Sequence, residues 1–226
     1  MKKLKNKKLS VILFAAAIAT FVIILLLLQD NSPGEAELDI YFKASTAYEN
    51  GNFDASVNLL SAVEKKCPDF YQARLLKGKA LFFSGDSVSA ATVFTDLLDD
   101  VKNYYEVEIW LLRCMIQDSS IGNSVDFGEQ LLSRSPEDPR VLGMLGRISA
   151  VDGDYQRALE LYKRAFLFEE ELAINRVDAA KIYFTLMNTD AALAQLEKAL
   201  ELVSENSPLK PAVKSLILQT GASNEE

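Results

Sequence analysis

There is no histidine among the 226 residues of this chain, and there are only two cysteines. The missing imidazole excludes His-ligated metals and every Ser-His or Cys-His catalytic arrangement. Cys67 and Cys114 can neither complete a zinc site alone nor form a disulfide framework. Glycine (10) and proline (6) are scarce, which argues against a sandwich or barrel built on many tight turns. No nucleotide loop, metal-ligand cluster or nucleophile motif is present, so no catalysis and no cofactor are expected. Positive charge is scarce too, beyond the first eight positions. Lys2, Lys3, Lys5, Lys7 and Lys8 are five of the 24 basic residues, and the other 19 stand against 32 acidic ones, a net of about −13. Such an acidic body does not bind nucleic acid or an anionic membrane by bulk charge. At 49% hydrophobic and 25% charged, the chain has the balance of a folded protein of one or two domains.

What is present begins with a long apolar run. Residues 9–28 read LSVILFAAAIATFVIILLLL, twenty residues in which only Ser10 and Thr20 are polar. A helix of that length spans roughly 30 Å, the thickness of the hydrocarbon layer. The basic segment 1–8 is expected to stay cytoplasmic by the positive-inside bias, which puts the body outside. Ala17-Ile18-Ala19 has the small-x-small form of a cleavage site. Cutting there would leave Phe21 to Leu28 at the new N-terminus, and the run is longer than a signal h-region. The expectation is therefore an uncleaved single-pass anchor in the inner membrane of a bacterial cell, with a periplasmic or otherwise extracytoplasmic C-terminal body. Residues 29–36 read as a linker.

The body repeats itself. Gly51-Asn52-Phe53 and Gly153-Asp154-Tyr155 lie 102 residues apart, three times 34. Cutting at that period gives blocks 37–70, 71–104, 105–138, 139–172 and 173–206 without insertions. Column 8 reads Ala44, Gly78, Leu112, Gly146, Ala180, and column 15 reads Gly51, Gly85, Ser119, Gly153, Met187. Column 20 reads Ser56, Ala90, Ser124, Ala158, Ala192, and column 24 reads Leu60, Phe94, Gly128, Tyr162, Leu196. Each block has two apolar stripes at helical spacing, with a turn near its middle. Small residues at columns 8 and 20 let two helices approach, and the glycine permits a left-handed turn. A lone pair cannot cover both apolar faces, so neighbours must stack.

These columns resemble the tetratricopeptide repeat family. Block four is the best match, with Leu145-Gly146, Gly153, Tyr155, Ala158, Tyr162 and Ala165. Block three is degenerate, with Gly128 where a large residue belongs. The resemblance implies an all-α fold: a right-handed superhelix of five 34-residue helix-turn-helix repeats. It also implies a protein-binding scaffold. Residues 207–219 read as a capping helix with Leu209, Val213, Leu216 and Ile217 inward, and 220–226 as a tail. Two stacked blocks separate the cysteines, too far for the roughly 7 Å a disulfide allows, so free buried thiols are expected.

In this family the first helices of the pairs line a concave groove. Columns 5, 9 and 12 share one helix face. Column 12 holds Tyr48, Phe82, Ile116, Ala150 and Phe184, with Phe83 beside Phe82, whereas Tyr155 and Tyr162 fit core positions. Column 9 holds Ser45, Lys79, Arg113, Arg147 and Lys181, four consecutive cations in an acidic body. Such a ladder suits an extended acidic and apolar segment of a partner protein of the cell envelope. The competing reading is internal pairing with Glu106 and other nearby acids. A second function remains open: the apolar residues and the irregular third block would form a homo-oligomer interface of an envelope complex.

Overall fold

Helices begin at Tyr71, Tyr105, Pro139 and Ala173, each 34 residues after the last. The structure is a computed structural model, and it describes residues 32–119, 122–168, 173–205, 207 and 209–222. Eleven helices occur among the described residues: α1 (Glu35–Glu49), α2 (Phe53–Lys66), α3 (Tyr71–Ser84), α4 (Ser87–Asp100), α5 (Tyr105–Gln117), α6 (Ser124–Arg134), α7 (Pro139–Val151), α8 (Tyr155–Phe168), α9 (Ala173–Thr185), α10 (Thr189–Leu202) and α11 (Leu209–Ala222). No strand occurs among the described residues, so the chain is all-α there. Each 34-residue block holds two helices. No described helix is long and apolar enough to cross a membrane. The expected membrane helix 9–28 lies outside the described residues.

The chain divides into two compact units between Lys77 and Gly78, within α3. In the first unit α1 packs on α2. Ala44, Leu60, Val63, Cys67, Phe70 and Ala73 form its buried core. The small pair at columns 8 and 20 is joined directly: Ser56 Oγ donates to the Ala44 carbonyl at 2.9 Å.

In the second unit consecutive helices pack from α4 through to α11, and α5 and α9 also each touch α7. First helices of successive blocks therefore lie side by side. Column 8 against column 24 shows how tight the pairs are. A Cβ on Gly78 would fall 2.4 Å from the Phe94 ring, and one on Gly146 would fall 3.0 Å from the Tyr162 ring. Ala90, Ala158, Ala180 and Ala192 are fully buried.

The turns follow column 15. Gly51, Gly85 and Gly153 have φ of +75°, +96° and +82°. Met187, which stands in their place in block five, has φ +57°. The next column caps the second helix, with Asp86, Asp154 and Asn188 accepting from Ser89, Arg157 and Ala191 N–H. Block three departs from this plan. Its second helix starts at Ser124, three residues later in the block than Phe53, Ser87, Tyr155 and Thr189 do in theirs. Asn123 caps it instead. The C-terminal helix packs its expected face: Val213 is buried and Leu209, Leu216 and Ile217 lie against the last core. It runs to Ala222, past the expected end at 219, and residues 223–226 lie outside the described residues. Cys67 and Cys114 are both buried and form no disulfide with each other.

Candidate functional site: a basic cavity between first helices

Within the second unit, the ends of α3, α5, α7 and α9 enclose a cavity of about 460 Å3. From α3 come Phe82 and Phe83; from α5, Arg113, Ile116 and Gln117. From α7 come Arg140, Gly143, Met144 and Arg147, and from α9, Ile174 and Asn175. These are the first helices of four consecutive blocks. Three guanidiniums thus meet apolar side chains in one hollow of an acidic chain.

The arginines are held in different ways. Arg113 lies over the Trp110 ring at 4.4 Å, a cation–π contact, and Lys79 lies over the same ring at 5.1 Å. Trp110 is buried against Phe82, Phe83 and Phe94, with centroids 5.6, 5.8 and 6.2 Å away. Its indole N–H donates to Glu106 at 3.0 Å. Glu106 also takes Lys79 at 3.5 Å and Arg140 at 3.0 Å, so one carboxylate gathers groups from α3, α5 and α7. Arg140 further makes a two-pronged pair with Asp138, which caps α7 by accepting from the Arg140 N–H at 2.8 Å. Burial pushes the Asp138 carboxyl up, but the hydrogen bonds and charge of Arg140 outweigh it and hold the group below the usual carboxylate range.

Arg147 donates from Nε and Nη2 to Asp178 at 3.0 and 2.7 Å. Lys181 reaches the other oxygen of Asp178 at 3.2 Å. Asp178 is 12% exposed at its side chain, against 47% for Arg147 and 58% for Lys181. A nearly buried acid therefore holds two cations outward. Behind them the Tyr162 phenol is 1% exposed, and burial first, then the Asp178 charge, raises its pKa well above its ordinary value.

The column-9 ladder is thus partly internal. Lys79, Arg147 and Lys181 all carry carboxylate partners, as the competing reading held. Arg113 and Arg147 border the cavity, together with the column-12 residues Phe82 and Ile116. Phe184 does not border it and packs against the core of α9, α10 and α11. Tyr48 belongs to the first unit, where its ring meets Phe53 edge-on at 5.6 Å. Arg140 and Asn175 were missed by the column reading. Arg140 sits in column 2 of the same face, where the cation could have been noticed. Asn175 sits off that face and carried no sequence signal.

Two stretches, residues 41–104 and 126–168, match the family model described as tetratricopeptide repeat. Solved structures agree on the fold. A thermophilic tetratricopeptide-repeat protein of Thermus thermophilus superposes with a TM-score of 0.68 at 19% identity, over 80% of this chain and 99% of that one. A tetratricopeptide-repeat protein of Parabacteroides merdae gives 0.70 at 17%, over 80% and 69%. The Cut9–Hcn1 hetero-tetramer of the APC/C gives 0.69 at 16%, over 84% of this chain and 37% of that chain. A search of curated proteins finds no match. With the family model, the all-helical fold and the 34-residue spacing in agreement, this chain carries tetratricopeptide repeats at residues 41–104 and 126–168.

Proposed function

We propose that this chain is a membrane-anchored scaffold, and that its second unit captures an extended acidic and apolar segment of a partner protein on the outer face of a bacterial cytoplasmic membrane. In this reading the five blocks are five repeats and α11 caps them. The apolar run 9–28 is the anchor, and the role is binding rather than catalysis. The observation that carries it is the cavity lined by four successive first helices, where Arg113, Arg140 and Arg147 meet Phe82, Ile116 and Met144. Apolar walls supply affinity and the cations select for acid. A tetratricopeptide fold within a complex of two protein species, as in the Cut9–Hcn1 assembly, is consistent with this role.

The experiment is site-specific photocrosslinking in native membranes. A photoreactive residue at Ile116, which borders the cavity, should capture a defined protein, and one at exposed Glu160 on α8 should not. Identical products from both positions would end the groove reading. Self-association is the second reading, favoured by the exposed side chains of Val151, Leu186 and Met187 at the ends of α7 and α9. Crosslinks from those positions to a second copy of the chain would support it.

A further inference from the structure

Asn175 is a polar side chain at the cavity wall with acceptor capacity to spare. It is 4% exposed and borders the cavity. Among the described residues its one hydrogen bond is a long one, from Nδ2 to the Pro139 carbonyl at 3.4 Å. Its Oδ1 receives no donor among them. At the cavity wall that oxygen has room to accept a hydrogen bond from a ligand. Gly143 explains how the group fits. A Cβ at Gly143 would fall 2.2 Å from Asn175 Oδ1. The first helix of block four thus omits its column-5 side chain, and the amide stands at a cavity wall where that side chain would have been.

A second observation points to the same ligand. Asp178 is a single carboxylate shared by Arg147 and Lys181, so this trio keeps one net positive charge, and Arg147 borders the cavity. Surplus positive charge at the cavity wall suits an anionic group such as a carboxylate. Ile116, Met144 and Ile174 provide an apolar lining, and about 460 Å3 has room for one large side chain with its flanking main chain.

Resting on the groove reading above, we propose that the cavity holds one apolar side chain of an extended peptide segment, that Asn175 Oδ1 accepts a main-chain N–H of that segment, and that a neighbouring carboxylate of the segment pairs with Arg147. The site then reads a step of sequence, an acid next to an apolar residue, together with extended main chain. Acidity alone does not satisfy it.

The test uses the full chain in mild detergent, with Trp110 as reporter. It is the single tryptophan, and Arg113 stacked on it borders the cavity. The probe is an N-acetylated, C-amidated peptide Gly-Ser-Gly-Glu-Leu-Gly-Ser-Gly, titrated to millimolar concentration. Four relatives accompany it: Gln for Glu, Ser for Leu, and N-methylation at the Leu amide and at the following Gly amide in turn. The parent should change Trp110 emission saturably. The Gln and Ser peptides and at least one N-methylated peptide should each bind about fivefold more weakly. In Asn175→Ser the N-methyl penalty should vanish. If that variant does not fold, the N-methylated peptides on the unaltered chain still decide. Equal binding of both N-methylated peptides and the parent would remove Asn175 from recognition. Equal binding of the Gln peptide would remove the carboxylate, and no saturable change with the parent would overturn the proposal whole. The crosslinking at Ile116 reads the groove independently. Its success beside peptide failure removes only this inference, and its failure removes the groove itself.

Discussion

Leu112 and Gly128 hold the sizes opposite to those of Gly146 and Tyr162. In block four a small residue on the first helix receives a ring from the second, with Gly146 3.0 Å from Tyr162 by its absent Cβ. In block three the large residue is on the first helix, and a Cβ on Gly128 would meet Leu112 Cδ2 at 3.6 Å and Leu145 Cδ2 at 2.7 Å. The apparent degeneracy of block three is an exchange of knob and hole, with the volume of the interface kept.

Gly78→Ala and Gly128→Ala should therefore differ. At Gly78 the new methyl meets the fully buried Phe94 ring at 2.4 Å, and a ring in a packed core has nowhere to turn. A loss of about 1–3 kcal/mol is expected. At Gly128 the nearest atom is the end of a leucine side chain, which can rotate, and helix propensity returns about 1 kcal/mol. That variant should lie at least about 1 kcal/mol above the first in urea unfolding. Equal losses would mean that Leu145 is as fixed as Phe94.

Met187→Gly should stabilise the protein. Its φ of +57° carries the left-handed penalty that Gly51, Gly85 and Gly153 avoid, and its side chain is 89% exposed, so little packing is lost. A gain of about 0.5–1 kcal/mol is expected, seen as a higher urea midpoint with an unchanged slope. A fall in the midpoint would show that the thioether makes a contact of value.

Burial pushes the Cys114 thiol from 9.0 up to about 12. Its native form should resist alkylation at pH 8 and react only after denaturation. The raised value also gives the sign of a pH effect. Cys114 contributes stability that is complete below pH 9 and is lost as the pH rises toward about 12, because the unfolded thiol ionises first. A Cys114→Ala variant should flatten that alkaline decline. Prompt native labelling at pH 8 would contradict the packing.

Asp178→Asn should cost about 1–2 kcal/mol and loosen partner capture, because Arg147 and Lys181 lose the acid that holds them in place. Arg113→Glu with Arg147→Glu should abolish capture while leaving the helical circular dichroism spectrum unchanged. Capture by the unaltered chain should weaken with added salt. If the double variant recovers the same partner from membranes, the binding surface lies elsewhere.

Membrane topology has its own check. Protease added to spheroplasts should digest the body of the chain, and alkaline carbonate should not release it. Recovery of a soluble species lacking residues 1–19 would replace the anchor with a cleaved leader.

The helices were legible because each depends on local columns: small at 8 and 20, a turn at 15, a cap at 16. Met187 kept the left-handed turn without a glycine, so the backbone there follows from the capping and packing on either side of it. Block three's late second helix was not legible, because its cap moved to Asn123. In the site, Arg113, Arg147, Phe82 and Ile116 were readable from one helix face. The cavity wall was not, because Asn175 on the neighbouring helix takes the place of the side chain that Gly143 lacks. Periodicity reports which side chains share a face; it is blind to what a neighbouring helix places where one of them is glycine. Nor could it tell that Lys79 and Arg140, from blocks two and four, share one acid in block three.

That sharing at Glu106 makes the effects of mutations in three helices depend on one another. With Glu106 present, loss of Lys79 hands more of the carboxylate to Arg140; without it, the same loss relieves repulsion between neighbouring cations. Substitutions at positions 79 and 140 should therefore be epistatic, changing sign or size with the residue at 106. A lineage that loses Glu106 would be expected to lose one of the two cations with it.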